Sequence, residues 1–262
     1  MTIIEKLRKG INNPQKAFSA VSYTLLSMVG KNDYRRFIVL SRSRTGSNLL
    51  ISLLNSHPHI AAEGEIFGKL NGKNYKTVLA KAFSKQPYYI KIKAKGFKIF
   101  YYHPQDNNSC GVWEELQSMS DLYVIHLKRK NILRTLLSRK VAGIQDVWSV
   151  RSDQPSSARR KEISVSFTVD ELRKGFKQTI EWEKDGDSKF QNHPLLSVSY
   201  EDLANDLSNT FRKVTKFLGV QFAEPKTRLK KQNTGTLREM IRNYDELKSA
   251  FADTEWAPFF EE

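Results

Sequence analysis

Three features of the 262-residue chain predict an α/β fold with a mainly parallel sheet and helices on both faces. Short apolar runs alternate with segments whose apolar residues recur at helical spacing. The first run, Phe37-Ile38-Val39-Leu40, passes through the polar stretch Ser41-Arg42-Ser43-Arg44-Thr45-Gly46-Ser47 straight into Leu49-Leu50-Ile51, a strand–turn–helix pattern. The length suits one large domain with a substantial core.

The elements follow in order. A strand over 37–40 leads to a helix over 48–55, which stops at Ser56-His57-Pro58 because proline cannot continue it. A loop carries Glu63-Gly64-Glu65, and 74–84 reads as helix. A strand centred on Phe97-Lys98-Ile99-Phe100 follows, then a helix over 112–119 and a buried strand over 122–127. The helix over 131–141 has Leu133, Leu136, Leu137 and Val141 on its apolar side. Residues 152–161 are polar, contain Pro155 and read as a surface loop within the domain. Helix is expected over 169–184, strand over 195–198, one helix over 201–218 closed by Gly219, and a last helix over 237–251.

Residues 1–35 are expected to form an N-terminal helical extension ahead of a single domain over 36–262. The apolar stretch from Ala17 to Val29 is too short to span a bilayer, and no small-residue cleavage site precedes Lys31-Asn32-Asp33. It suits an amphipathic helix able to touch a membrane surface. The single cysteine, Cys110, excludes an intrachain disulfide and fits a reducing compartment, so a cytoplasmic protein is expected. The formal charge of +15 favours anionic partners without choosing among nucleic acid, membranes and small ligands.

The stretch 41–47 places two arginines and four hydroxyls where a helix begins. A helix start offers unpaired N–H groups and partial positive charge, so the loop suits an anion. It is not a Walker A loop, because Ser47 stands where the lysine would be and the first glycine is missing. A second cationic cluster, Lys128-Arg129-Lys130, ends the strand over 122–127, where a magnesium-holding aspartate would be expected in a nucleotide hydrolase. Ser138 lies four residues after Arg134 and shares its helix face. In "LSVSYEDLANDLSNTFRKVTKFLGV", Tyr200-Glu201-Asp202-Leu203 opens a helix with acids suited to its N-terminus, and the segment reads as a packing element.

Taken in order, these segments resemble the sulfotransferases that use 3′-phosphoadenosine-5′-phosphosulfate (PAPS). Arg44-Thr45-Gly46-Ser47 resembles the family's 5′-phosphosulfate loop, Lys130 to Ser138 its 3′-phosphate segment, and Tyr200-Glu201-Asp202-Leu203 with Phe217-Leu218-Gly219 its later landmark. "HPHIAAEGEIF" and "LKKQNTGTLREMIRNYDEL" are similar to bacterial carbohydrate sulfotransferases of the nodulation-factor and trehalose types. The resemblance implies a P-loop-like three-layer fold and metal-independent in-line transfer from PAPS to a hydroxyl of a carbohydrate or glycolipid. It places donor contacts at Arg42, Arg44, Thr45, Gly46, Ser47, Asn48, Arg129, Lys130, Ser138, Lys230 and Lys231. The family usually carries arginine where this chain has Lys130, which leaves the 3′-phosphate contact open between Arg129 and Lys130. Lys98 is the candidate for the sulfonate or bridging oxygen, and Arg44 for the leaving phosphate. For the general base the ranking is Glu65, then His103, then Glu63. The competing readings are a metal-dependent nucleotide kinase and a basic nucleic-acid-binding protein. The acceptor, to be met by loops such as 66–88 and 144–167, and the oligomeric state are not encoded in any motif.

Overall fold

The computed structural model describes residues 32–85, 91–107, 109–145, 163–227 and 235–261. Five strands, β1 (Arg35–Ser41), β2 (Ile60–Glu63), β3 (Ala94–Phe100), β4 (Leu122–Lys128) and β5 (Leu195–Ser199), form one sheet in the order β2-β3-β1-β4-β5. All four pairings are parallel. The helices are α1 (Ser47–Ser56), α2 (Tyr75–Ala82), α3 (Val112–Ser118), α4 (Ile132–Gln145), α5 (Val169–Lys189), α6 (Tyr200–Asn205), α7 (Leu207–Phe217), α8 (Leu237–Met240) and α9 (Tyr244–Ala250).

β1 is central, and its pleat divides the core. Phe37 and Val39 pack on one face with Leu50 of α1, Leu203 of α6 and Phe211 of α7. Ile38 and Leu40 pack on the other with Phe97, Leu79 of α2 and Leu116 of α3. Because both faces are covered, β1 reads as an unbroken apolar run and not as an alternation. A third cluster joins α4, α5, α8 and α9 through Leu133, Phe176, Leu237 and Leu247.

The register sets the site. Ser41 pairs with Phe100, and Leu40 with His126, so β1, β3 and β4 end at one edge. The chain leaves β1 toward β3 on one side and reaches β4 on the other. Ligands of open parallel sheets bind at such a switch point, beyond the carboxyl ends of the strands.

The structure departs from the sequence expectation in three places. Glu63 ends a strand, β2, instead of sitting in a loop; two alanines carry little strand preference, and only pairing with β3 defines this edge strand. The helix expected over 201–218 is two helices, with Asp206 between them; its carboxylate caps α7 by accepting from the Asn209 N–H at 3.4 Å. The last helix is interrupted at Ile241, which bridges Val165; the Val165 N–H donates to the Met240 carbonyl and the Arg242 N–H to the Val165 carbonyl, both at 2.9 Å. In both helices the apolar spacing continues across the break, so periodicity alone cannot register it. Almost all of the expected N-terminal extension and the expected loop over 152–161 lie outside the described residues.

Candidate active site

The loop from β1 to α1 is shaped by two residues in the left-handed region, Arg44 at φ 72° and Gly46 at φ 85°. Gly46 precedes α1, and no side chain caps that helix. Its first N–H groups therefore point outward with the positive end of the helix dipole. Thr45 is buried and ties the loop to itself, its hydroxyl donating to the Arg42 carbonyl at 2.9 Å. A Cβ on Gly46 would lie 2.5 Å from Cδ2 of Tyr200. Gly46→Ala is therefore expected to cost about 1–3 kcal/mol through backbone strain and this overlap. Thermal unfolding should show it as a Tm lowered by roughly 3–10 °C.

Two guanidiniums converge on this loop. Arg44 donates from Nε to the Ser138 hydroxyl of α4 at 2.9 Å, and Arg129 donates from Nη1 to the Arg44 carbonyl at 3.2 Å. Arg129 also lies 4.6 Å above the Tyr200 ring. Burial lowers the pKa of both below the usual arginine value, and the charge of Arg129 lowers Arg44 further. Nε of Arg129 is buried without a hydrogen-bond partner among the described residues; Glu201 Oε1 stays 3.9 Å away.

Lys130 points elsewhere, its ammonium exposed and 3.0 Å from Asp202. Arg134, on the same helix face as Ser138, donates to the Gly235 carbonyl at 2.7 Å. Arg42 is only 2% exposed and turns to α5, where it donates to the Thr179 hydroxyl. Lys230 and Lys231 lie outside the described residues.

Beside the loop stands a charged trio. Lys98 of β3 is buried on the α1 side of the sheet; its ammonium lies 2.8 Å from Glu65 Oε1 and donates to Asn48 Oδ1 at the start of α1. The other Glu65 oxygen is 3.8 Å from Nε2 of His103. Nδ1 of His103 accepts the Phe100 N–H at 3.2 Å, which leaves the proton of the neutral ring on Nε2, facing Glu65. Burial lowers His103 to about 4, so the ring is neutral at pH 7 and its only lone pair is already engaged. Glu63 lies at the end of β2, and its charge acts on Lys95, two positions before the buried phenylalanine Phe97 on the opposite face from Lys98. The three candidate bases are thereby separated by geometry: Glu65 reaches Lys98, His103 backs it, and Glu63 does not share its contacts.

A second polar chain was not anticipated. Tyr101 and the Nε2 of His126 are 2.7 Å apart, Nδ1 of His126 is 2.7 Å from Asp187, and Lys128 donates to Asp187 at 2.7 Å. Burial lowers His126 to about 4, which makes the ring neutral and its Nδ1–H the donor to Asp187. Trp182 stands next to this chain, with Tyr101 and Tyr102 ring centroids at 6.0 and 5.4 Å. From the sequence, Lys128 is marked only as part of the basic cluster at its strand end, and Tyr101 could be marked in the same way. Trp182, Glu183 and Asp187 have no local signal, because only the packing of α5 brings them to the sheet edge.

No family model matches the chain. Nodulation protein H of Rhizobium tropici is 30% identical over 241 residues, covering 86% of this chain and 92% of that protein. Nodulation protein H of Rhizobium meliloti (strain 1021) is 27% identical over 238 residues, covering 86% and 94%. Among solved structures, the sulfotransferase from Alicyclobacillus acidocaldarius matches with a TM-score of 0.47 and 14% identity over 82% of this chain and 90% of that one. A mouse sulfotransferase complexed with PAP matches with a TM-score of 0.42 and 15% identity over 74% and 61%. At these scores the structural matches add no weight to the assignment, which comes from sequence. Identity at this level, spread over almost the whole of both proteins, places the chain in the nodulation protein H family: it is a sulfotransferase.

Proposed function

We propose that the enzyme takes its sulfuryl group from PAPS and delivers it to a hydroxyl of a carbohydrate or glycolipid. The observation that carries this reading is the pair of half-buried guanidiniums, Arg44 and Arg129, crowded together at an uncapped helix start. Like charges held out of water favour a bound polyanion. The orphaned Nε of Arg129 fits an anion oxygen, and PAPS carries phosphate at both ends of its nucleoside.

The donor supplies an activated sulfonate whose leaving group is a phosphate. Arg44 and the outward N–H groups of the α1 start are suited to hold that phosphate and to neutralise the charge it gains. Arg129 is assigned to the 3′-phosphate, supported by its orientation into the loop. Lys130 is left outside by its pairing with Asp202. Glu65 takes the acceptor proton as the acceptor oxygen bonds to sulfur and the sulfur–phosphate oxygen bond breaks. Lys98 holds Glu65 in place and is near enough to follow charge onto the bridging oxygen. Arg42, Thr45, Gly46, Ser47, Asn48 and Ser138 shape this loop and its walls. In this scheme cationic side chains do what magnesium does in phosphoryl transfer.

Among the described residues no helix is long and apolar enough to cross a membrane. The single cysteine suits a reducing compartment, which supports a cytoplasmic reading.

Thermal shift tests the donor. Adenosine 3′,5′-bisphosphate without magnesium should raise Tm, with a larger shift at higher concentration. Stabilisation by ATP with magnesium alone would favour a kinase. Calorimetry then separates the two cations. Arg129→Ala should weaken bisphosphate binding by roughly 10–100-fold, the range for a lost charged hydrogen bond. Lys130→Ala should stay within about twofold, as expected of an exposed ion pair.

A further inference from the structure

Helix α5 turns one face to the carboxyl edge of the sheet. Thr179 on this face receives Arg42, and Asp187, two turns later, receives His126 and Lys128. Between them, Trp182 meets the Arg42 guanidinium at 5.7 Å and the rings of Tyr101 and Tyr102. Glu183 lies on the same stretch and is different. Among the described residues its carboxyl has no hydrogen bond and no ion pair, although it is half-buried.

Burial pushes Glu183 up to about 7. Asp187 and Glu201 add to the rise, while Lys128 and Arg42 oppose it without overcoming it. Nearby, Nε of Arg42 is buried with no hydrogen-bond partner among the described residues, in a side chain only 2% exposed. Desolvated polar groups left without partners cost free energy that a ligand's hydroxyls can recover.

This wall adjoins the reacting groups. The Tyr102 hydroxyl accepts the Ser43 N–H of the donor loop at 3.3 Å, and its ring meets the His103 ring edge-on at 5.4 Å. His103 in turn faces Glu65. The chemistry on offer is therefore mixed: half-exposed aromatic rings for an apolar surface, and a carboxyl for hydroxyl donors. A sugar ring has both, with C–H groups on its face and hydroxyls at its rim. An anionic ligand is disfavoured beside Glu183, which separates this wall from the donor loop.

We propose that Glu183, with Trp182 and Tyr102, forms the acceptor subsite, where the rings pack on a sugar face and the carboxyl accepts its hydroxyl hydrogens. This rests on the carbohydrate reading above.

The test uses the full-length enzyme, neutral oligosaccharides of glucose and of N-acetylglucosamine as probes, and three variants. Glu183→Gln and Trp182→Leu should each raise the acceptor KM by about tenfold or more, in line with loss of a hydrogen bond to a charged group or of a packed ring. Bisphosphate affinity should not change. Trp182→Phe, which keeps a ring, should recover most of the loss. In the wild type, saturated with bisphosphate, the oligosaccharide should quench tryptophan fluorescence with saturation, and Trp182→Leu should abolish that response. If Trp182→Leu fails to fold, the KM of Glu183→Gln and the saturable fluorescence response of the wild type decide. Sugar sulfation with unaltered KM in Glu183→Gln and the Trp182 variants overturns the subsite and leaves the transfer reaction standing. Sulfation of phenols or simple lipid alcohols, with no sugar bound or sulfated by the wild type, overturns the carbohydrate reading and this inference together.

Discussion

Glu65→Gln is expected to lower turnover by about 10²–10⁴-fold, the range for removal of a positioned general base, while bisphosphate affinity survives. Gln keeps the shape of the side chain and removes its basicity. Lys98 then loses its carboxylate partner and keeps Asn48. Because Lys98 is buried, some stability should be lost too; Glu65 is 41% exposed, so the loss should be well below that of a fully buried pair. Calorimetry with the bisphosphate separates that structural cost from the chemical one. His103 supplies the control. Its neutral ring has no free lone pair, and its Nε2–H faces Glu65 from 3.8 Å without a hydrogen bond, so the expected role is that of a positioning group. His103→Ala should reduce kcat by a smaller factor than Glu65→Gln and leave the bisphosphate affinity in place. The reverse ranking, with Glu65→Gln near normal and His103→Ala inactive, would move the base to the histidine.

Arg44→Ala should reduce kcat/KM by about 10²–10³-fold, as for loss of one preorganised donor to a developing anion, and should weaken the bisphosphate as well. The change removes the charge proposed to hold the leaving phosphate, and the hydrogen bond that anchors the loop to Ser138. Alanine must also occupy a left-handed backbone position, at φ 72°, so part of any effect is strain. Arg44→Lys resolves this, since lysine bears the same backbone demand but supplies a point charge in place of a fork. Partial activity in Arg44→Lys, with Arg44→Ala inactive, assigns the loss to charge. Equal and near-normal activity in both variants would remove Arg44 from the reaction.

Much of the fold was legible because its signals are local. The buried strands are apolar runs, α1 starts at a glycine-containing turn and stops before Pro58, and Gly219 follows α7 in a left-handed conformation. β2 was not legible, since Ile60–Glu63 has strand character only through its pairing with β3. The breaks at Asp206 and Ile241 were hidden by apolar spacing that runs through them.

By itself, the sequence determined the class of fold, the strand–loop–helix whose chemistry suits an anion, the family resemblance and a short set of candidate bases. Each of these depends on residues a few positions apart, whose meaning survives without knowing what they touch. Only the tertiary structure decided between alternatives with the same local chemistry. Arg129 faces the loop while Lys130 is tied to Asp202, two neighbours pointed apart at the end of β4. Glu65 meets buried Lys98 while Glu63, two residues earlier, belongs to β2. The α5 wall of Trp182 and Glu183 is brought to β1, β3 and β4 from far along the chain. Side-chain direction and desolvation come from the packing of distant segments, so a list of residues in order cannot contain them.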